Sequence, residues 1–139
     1  MKASIGIKEF AVDRMNGLLT RLAYHVHRAA KKPGADEIHD LRVSIRRFSQ
    51  GLLLFTEFFP KWEVKKIKRA MKRMMDITSE IRNRDIALEY LSQSDEPAHR
   101  RRLEKERLQY QRQFAEMVHR WSARDFSARW RTDLSLRSV

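Results

Sequence analysis

Apolar residues recur at alternating steps of three and four along most of this chain, and strand-like alternation never persists beyond a few residues. The most regular series comprises Ile38, Leu41, Ile45, Phe48, Leu52, Phe55 and Phe59. Such steps bring all members to one side of an α-helix, because a helix completes a turn every 3.6 residues. The spacing therefore predicts an amphipathic helix whose apolar stripe faces a core.

Breaks in this pattern divide the chain into four helical segments. Pro33-Gly34, Pro60 and Pro97 fall where helix ends are expected. The predicted segments are 7–30, 35–59, 61–92 and 97–123, with Asp36 as the N-cap of the second. They predict an all-α fold, an antiparallel four-helix bundle with a basic face. We assign residues 1–123 to one domain and 124–139 to a C-terminal tail, which is a final helical turn, a dimer contact or a disordered end.

Charge is the second strong signal. Thirty Lys and Arg residues against eighteen Asp and Glu give a net charge of +12 on 139 residues. Self-repulsion weakens the folded state of so basic a protein, so we expect a polyanionic partner. Charge alone leaves DNA, RNA, an anionic membrane and inorganic phosphate polymers open, as well as a basic protein without such a partner.

Several functional classes are excluded by what the sequence lacks. It has no cysteine, so disulfides, thiolate catalysis and cysteine-based zinc sites are excluded. No apolar run is long enough for a transmembrane helix, and residues 1–10 lack the apolar region of a signal peptide, so we expect a cytoplasmic protein. Phosphate-binding glycine loops, metalloprotease motifs and nucleophile–base pairs are not visible either. We therefore expect a protein that is not an enzyme and holds no metal or cofactor.

Basic residues of the second segment lie beside its apolar stripe. His39, Arg42 and Arg46 are spaced by three and four residues, so they share one side of the helix. Each follows an apolar position by one residue, which rotates them by about 100° from the core. These side chains can therefore extend into a groove or onto a neighbouring helix. The alternative is that Arg42 and Arg46 form surface ion pairs with Asp40, Glu80 or Asp85, which contribute little stability.

The third segment repeats this arrangement with lysines. Lys65, Lys68 and Lys72 follow apolar positions by one residue, and Lys66, Arg69 and Arg73 form a second basic row beside them. Like charges four residues apart destabilise a helix, so we expect a bound anion here. Arginine offers phosphate a planar fork of donors and lysine a mobile point charge. The two basic stripes, on neighbouring antiparallel helices, are predicted to line one phosphate-binding groove.

Two other classes compete with phosphate-chain binding. A nucleic-acid-binding helical module explains the same charge, and stacking on aromatic side chains would favour single strands. Most aromatic residues fall on core stripes, however, which leaves Trp62 and Trp130 as candidates for stacking. A helical protein-interaction module is the third class, if acids neutralise the basic faces.

Two elements of the sequence resemble the signature of the CHAD (conserved histidine α-helical domain) family. The first is His39-Asp40-Leu41-Arg42-Val43-Ser44-Ile45-Arg46-Arg47-Phe48, followed by Leu54-Phe55 and Pro60. The second is Arg84-Asp85, followed by Leu88 and Leu91, although Ile81 and Ala87 replace a usual glycine and a second usual aspartate. The order and the separation of the two elements also fit the family.

The resemblance implies an all-helical domain whose basic cleft binds inorganic polyphosphate, and an association with polyphosphate granules. By the same resemblance His39, Arg42, Arg46 and Arg47 face phosphate, Arg84 joins or braces them, and Asp85 orients an arginine. Family domains usually contain two related helical halves, and the motifs here match one half. Two interpretations follow: a single-repeat member that completes its cleft as a homodimer, which we favour, or a piece of a longer domain.

Overall fold

A computed structural model describes residues 2–91 and 96–136, with side chains from residue 6 onwards. Every regular element in these ranges is helical, which confirms the all-α fold class. The elements are α1 (Lys2–Lys31), α2 (Ala35–Leu54), a 3-10 turn (Thr56–Phe58), α3 (Lys61–Leu91), α4 (Pro97–Ala123) and α5 (Phe126–Asp133). Predictions for Met1, Ser92 and residues 137–139 fall outside the described residues.

The four long helices enclose one hydrophobic core. Helix α1 packs against α2 and α4, and α3 packs against the same two helices. The contact between α2 and α3 is less extensive than the α1–α2 or the α3–α4 contact, and a depression lies between the start of α2 and the later turns of α3. None of the described helices combines the length and the apolarity that crossing a bilayer requires.

The predicted apolar stripe of α2 is confirmed as core. All seven of its residues, from Ile38 to Phe59, are buried. In α1 the spacing of the apolar residues includes Ile7 and Phe10, but these two are not core: their side chains are 52% and 61% exposed. Phe10 meets the edge of the Phe55 ring, with 6.1 Å between the centroids.

Both ends of α2 differ from the prediction. Gly34, with an extended backbone, is its N-cap, and Asp36 lies inside the first turn, where its charge still suits the helix dipole. Asp36 is not the cap because Ala35 is already helical and the Ile38 amide donates to the Gly34 carbonyl. At the other end the helix stops at Leu54, and the 3-10 turn carries the chain to Phe59.

Residues after Ala123 join the same core. Helix α5 packs against α1 and α4 and buries Phe126 and Trp130, and Leu134 and Leu136 behind it are also buried. The Trp130 ring stacks on Phe48 at 5.8 Å between centroids. Helix α5 and the buried Leu134 and Leu136 therefore pack on the domain, and a final helical turn was one of the three alternatives for the C-terminal tail.

Candidate functional site

Arg42 connects α2 to α3 through a nearly buried guanidinium. Its Nη1 donates to the Met75 carbonyl oxygen at 2.9 Å, to Thr78 Oγ1 at 2.6 Å and to Ser79 Oγ at 3.1 Å. The residue is only 9% exposed, and its Nε has no hydrogen-bond partner among the described residues. Arg42 therefore fixes a positive charge in the floor of the groove between the two helices.

Two further arginines converge on this buried charge. Burial lowers the pKa of Arg42, and repulsion from Arg46 and Arg82 lowers it further. Arg46 lies four residues after Arg42 and three before Ser49, which also contacts α3 through Met71, so Arg46 lies on the side of α2 that faces α3. On α3, Arg82 lines a depression of about 250 Å³ together with Arg42. Arg42 and Arg82 thus share one depression between the helices, and Arg46 lies near enough to repel Arg42.

The carboxylates that were expected to neutralise these arginines contact other partners. Asp40 accepts from Arg28 at 3.1 Å, Glu80 accepts from Arg84 at 2.7 Å, and Asp85 accepts from Arg107. The alternative of surface ion pairs for Arg42 and Arg46 is therefore wrong for the described residues. None of the three arginines forms an ion pair among the described residues, although Asp85 also lines the depression that Arg42 and Arg82 share.

His39 and Arg47 lie on the outer rim of α2. His39 lines both the α2–α3 depression and a second depression, between α1 and α2, which Arg47 also lines. Arg21 and His25 of α1 contribute to this second depression. Burial lowers the pKa of His25, and repulsion from Arg28 and Arg21 adds to this effect, while attraction to Asp40 opposes it. Arg47 therefore belongs to the α1 side, and His39 lies between the two depressions.

The predicted lysines continue the basic lining along α3. Lys68 and Lys72 precede Met75 by seven and three residues, so they share the side of α3 that Arg42 contacts. Lys72 pairs with Asp76 at 2.9 Å, but both side chains are well exposed, and such a pair is weak. Lys65 and Lys68 line a depression beside the exposed Trp62. We define the α2–α3 groove by His39, Arg42, Arg46, Lys65, Lys68, Lys72 and Arg82.

The second basic row of α3 does not line this groove. Each of its members lies one residue further round the helix, and about 100° of rotation turns it away from α2. Lys66 pairs with Glu63 at 3.3 Å, Arg69 is exposed, and Arg73 lines a depression between α3 and α4. Of the predicted phosphate-binding residues, Arg69 and Arg73 are therefore separated from the groove.

Arg84 also lies on the α4 side of α3. Its guanidinium contacts Glu80 at 2.7 Å and Glu106 at 3.3 Å and covers the Tyr110 ring at 4.8 Å. Partial burial opposes its charge, but the hydrogen bond to Glu80 and the charges of both carboxylates raise the pKa of Arg84 overall. It braces α3 against α4. Asp85 does bind an arginine, but that arginine is Arg107 of α4.

Arg82 is the groove residue that the sequence reasoning missed. It follows the buried Ile81 by one residue, the same offset that Lys65, Lys68 and Lys72 show from their apolar neighbours. The signal was therefore present, nearly three helical turns beyond Lys72. Arg21 was missed for another reason, since nothing in the sequence indicates which side of α1 faces Arg47.

The groove is suited to anions with several negative charges. Its arginines provide forked donors on a rigid backbone, and its lysines provide mobile charges along the same side. Two carboxylates lie at its edges, Asp85 in the depression beside Arg42 and Arg82, and Asp76 paired with Lys72, but cations outnumber them, so the groove as a whole is positive. Groups with His, Asp or Glu side chains arranged to hold a metal ion are not found among the described residues.

A comparison with protein families agrees with the motif analysis. The model of the CHAD domain matches residues 13–138, which is nearly the whole chain and includes both helices of the groove as well as α5. Curated proteins and solved structures give no match to the chain. With an all-α fold and the family model aligned over this range, the chain belongs to the CHAD domain family.

Proposed function

We propose that this protein binds inorganic polyphosphate in the α2–α3 groove. The observation that carries the proposal is that Arg46 and Arg82 both lie near enough to the buried Arg42 to repel its charge, and that none of the three forms an ion pair among the described residues. Such a cluster is destabilised by its own repulsion, and a bound polyanion removes that repulsion. Membership of the CHAD family supports the same ligand, because that family is associated with polyphosphate binding.

The length of the basic lining favours a chain over a single phosphate group. From Lys65 to Arg82 the axis of α3 rises by about 25 Å, at 1.5 Å per residue. A linear polyanion can contact charges along this whole distance. In this proposal Arg46 and Arg82 bind non-bridging oxygens with their forks, and Lys65, Lys68 and Lys72 neutralise further phosphate groups. Arg42 joins the two helices through its hydrogen bonds, and its positive charge in the floor of the groove also attracts the phosphate chain.

His39 lies at the rim of the groove, where a ring N–H can donate a hydrogen bond to a phosphate oxygen. We propose binding and not catalysis, because the groove is lined mainly by cations, and its one imidazole, His39, has no carboxylate hydrogen-bonded to it among the described residues that could orient it as a base.

A nucleic-acid ligand is the second candidate. Trp62 is 64% exposed and lines one depression with Lys65 and Lys68, so a base could stack there while its phosphates meet lysine. Trp130, the other aromatic candidate, is only 6% exposed and is therefore not available for stacking. Trp62→Ala separates the two ligands: it should weaken single-stranded DNA binding and leave polyphosphate binding unchanged.

The proposal is tested by removing two exposed groove charges. We expect Arg46→Gln with Arg82→Gln to weaken binding of long-chain polyphosphate by about a hundredfold, since hydrogen bonds to charged groups contribute about 1.5–3 kcal/mol each. The matched control is Arg101→Gln with Arg112→Gln, two exposed arginines of α4, which should weaken binding by only a few fold. Isothermal titration at fixed ionic strength measures both. Equal losses in the two variants would contradict the proposal.

Two further parts of the proposal concern the assembled protein and its location. We propose a homodimer in which the grooves of two copies adjoin across a two-fold axis, an arrangement that becomes favourable when an anion lies between them. We also propose a cytoplasmic location in association with polyphosphate granules, which family membership supports.

A further inference from the structure

A second group of arginines lies on the opposite flank of α3, away from the groove. Its members are Arg73 from α3, Arg120 and Arg124 from α4, and Arg129 from α5. All four are exposed and line one depression of about 200 Å³, whose remaining lining is Ala70, Met117 and Trp121. Three helices thus contribute positive charge to a single small opening, which we call the α3–α5 arginine cluster.

Acidic residues near the cluster do not neutralise it. Asp125 is the N-cap of α5, and its carboxylate accepts from the Ala128 amide and from Ser127 Oγ. Glu116, four residues before Arg120, and Asp133, four residues after Arg129, form no ion pair in the described part of the chain. Four guanidinium groups therefore face one opening without a counter-charge among the described residues, which is a costly arrangement in the absence of an anion.

The positions of these arginines are fixed by buried aromatic packing. Trp121 meets Phe126 at 5.1 Å and Trp130 at 5.4 Å between ring centroids, and Phe126 and Trp130 anchor α5 in the core. This packing holds Arg129 beside the arginines of α3 and α4. At residue 125 the backbone adopts a left-handed conformation, with φ of 48°, and turns the chain sharply from α4 into α5. The cluster is thus built on rigid elements and not on a loose loop.

From this geometry we infer that the α3–α5 arginine cluster is a second anion site, which binds a compact condensed phosphate such as tripolyphosphate. Guanidinium forks from several directions match the many oxygens of linked phosphate groups. The opening is smaller than the roughly 300–1,000 Å³ of pockets for drug-sized ligands, which favours a short anion. The inference goes beyond the proposed function and does not rest on it, because no residue is shared between the cluster and the groove.

Trp121 provides a local reporter for the test, because its side chain lines the opening. The indole N–H signals of Trp62, Trp121 and Trp130 are followed by NMR in the full-length protein, with Trp62→Phe and Trp121→Phe for assignment. Sodium tripolyphosphate should shift the Trp121 signal saturably, and sodium sulfate at equal ionic strength should not. The titration is repeated with long-chain polyphosphate. If the Trp121 signal shifts with both ligands, the cluster binds segments of a longer chain; if it shifts with tripolyphosphate alone, the ligand is the free short anion.

Variants decide whether the cluster itself is responsible. Arg120→Gln with Arg129→Gln should weaken the Trp121 response by about tenfold or more, and Arg73→Gln alone, which leaves α4 and α5 untouched, should also weaken it. Arg46→Gln with Arg82→Gln in the groove, and Arg101→Gln with Arg112→Gln on α4, should leave it within about twofold. An unshifted Trp121 signal, or equal losses in cluster and control variants, would overturn the inference.

Discussion

Arg42 combines a structural and an electrostatic role in one side chain. Three hydrogen bonds from Nη1 attach α2 to α3, while the same guanidinium repels Arg46 and Arg82 above it. A substitution at Arg42 therefore changes both helix packing and the charge of the groove. Arg46 is exposed and has no ion-pair partner among the described residues, so it reports on the charge alone.

Substitutions of Arg42 and Arg46 should differ in their effect on stability, although both should weaken polyphosphate binding. Arg42→Ala should lower the free energy of unfolding by about 1–3 kcal/mol, because buried hydrogen bonds and packing are lost. Arg46→Gln should change it by less than about 0.5 kcal/mol, as exposed positions do, and still weaken polyphosphate binding. Urea unfolding followed by circular dichroism gives both free energies. A large loss of stability in Arg46→Gln would show that this side chain has a packing role.

The lowered pKa of His25 predicts that the free energy of unfolding depends on pH. Burial holds the pKa of His25 below its ordinary value, so the unfolded chain takes up a proton before the folded protein does. The pKa of His25 in the unfolded chain is about 6.5, and its contribution to stability is fully present above that pH. This contribution is lost as the pH falls from 6.5 toward the lower pKa of His25 in the folded protein. Unfolding free energies measured from pH 7 to pH 5 should decrease in the wild type.

A substitution assigns that decrease to one histidine. His25→Gln should reduce the slope of stability against pH over this window, whereas Gln109→Ala, which removes no ionisable group from an exposed position of α4, should leave it unchanged. The slopes, and not the absolute stabilities, are compared, because glutamine also changes packing. An unaltered slope in His25→Gln would remove the proposed role of burial at this site.

At the scale of the elements, the four long helices were predictable because their apolar stripes are long and regular. The prediction failed where tertiary contacts decide the outcome. Segment 35–59 was predicted as one helix because its apolar spacing continues to Phe59. Helix α2 in fact ends at Leu54, and Phe55 and Phe59 are buried on either side of a 3-10 turn. Helix α5 has too few apolar positions to show a period, and it is identified by packing on α1 and α4.

The same reasoning explains which site residues could be predicted. The spacing of Arg42, Arg46 and Lys68 fixes their angle from the core stripe, and that angle was sufficient to bring them to the groove. Arg47 lines the depression between α1 and α2, and Arg73 lines the depression between α3 and α4. Which surface each residue lines depends on which helix packs beside it, and the spacing within one helix does not give that. Arg84 could not be assigned from the sequence because its partners, Glu106 and Tyr110, are more than twenty residues away.

Docking of α5 should contribute substantially to stability. Trp130 packs against Phe48, Trp121 and Phe126, so we expect Trp130→Ala to lower the free energy of unfolding by about 3–5 kcal/mol. Trp62→Ala, at a mostly exposed position, should change it by less than about 0.5 kcal/mol. Chemical denaturation measures both variants. Similar small effects would mean that α5 is only weakly attached to the core.

For the whole molecule, the net charge of +12 is distributed over distinct surfaces. In the α2–α3 groove only Lys72 forms an ion pair among the described residues, with Asp76, and the α3–α5 arginine cluster forms none, whereas Arg28, Arg84 and Arg107 are ion-paired. Some of the basic residues thus stabilise contacts between helices, and others are left for an anion. The total charge in the sequence indicated a polyanionic partner but could not separate these two groups.

Assembly of the proposed homodimer should depend on the anion. Two grooves facing each other across a two-fold axis repel when empty and are bridged when polyphosphate lies between them. Light scattering should therefore report a larger fraction of dimer with long-chain polyphosphate than without it. Arg46→Gln with Arg82→Gln should abolish this increase, and an increase that persists in the variant would place the dimer contact elsewhere.

Competition between polyphosphate and DNA tests the central claim most directly. Both ligands are bound more weakly as salt increases, so the titrations are compared at the same ionic strength. We predict that long-chain polyphosphate displaces fluorescent duplex DNA from the wild-type protein, and that Arg46→Gln with Arg82→Gln loses most of this preference. Tighter binding of DNA than of polyphosphate, or an unchanged preference in the groove variant, would contradict the account.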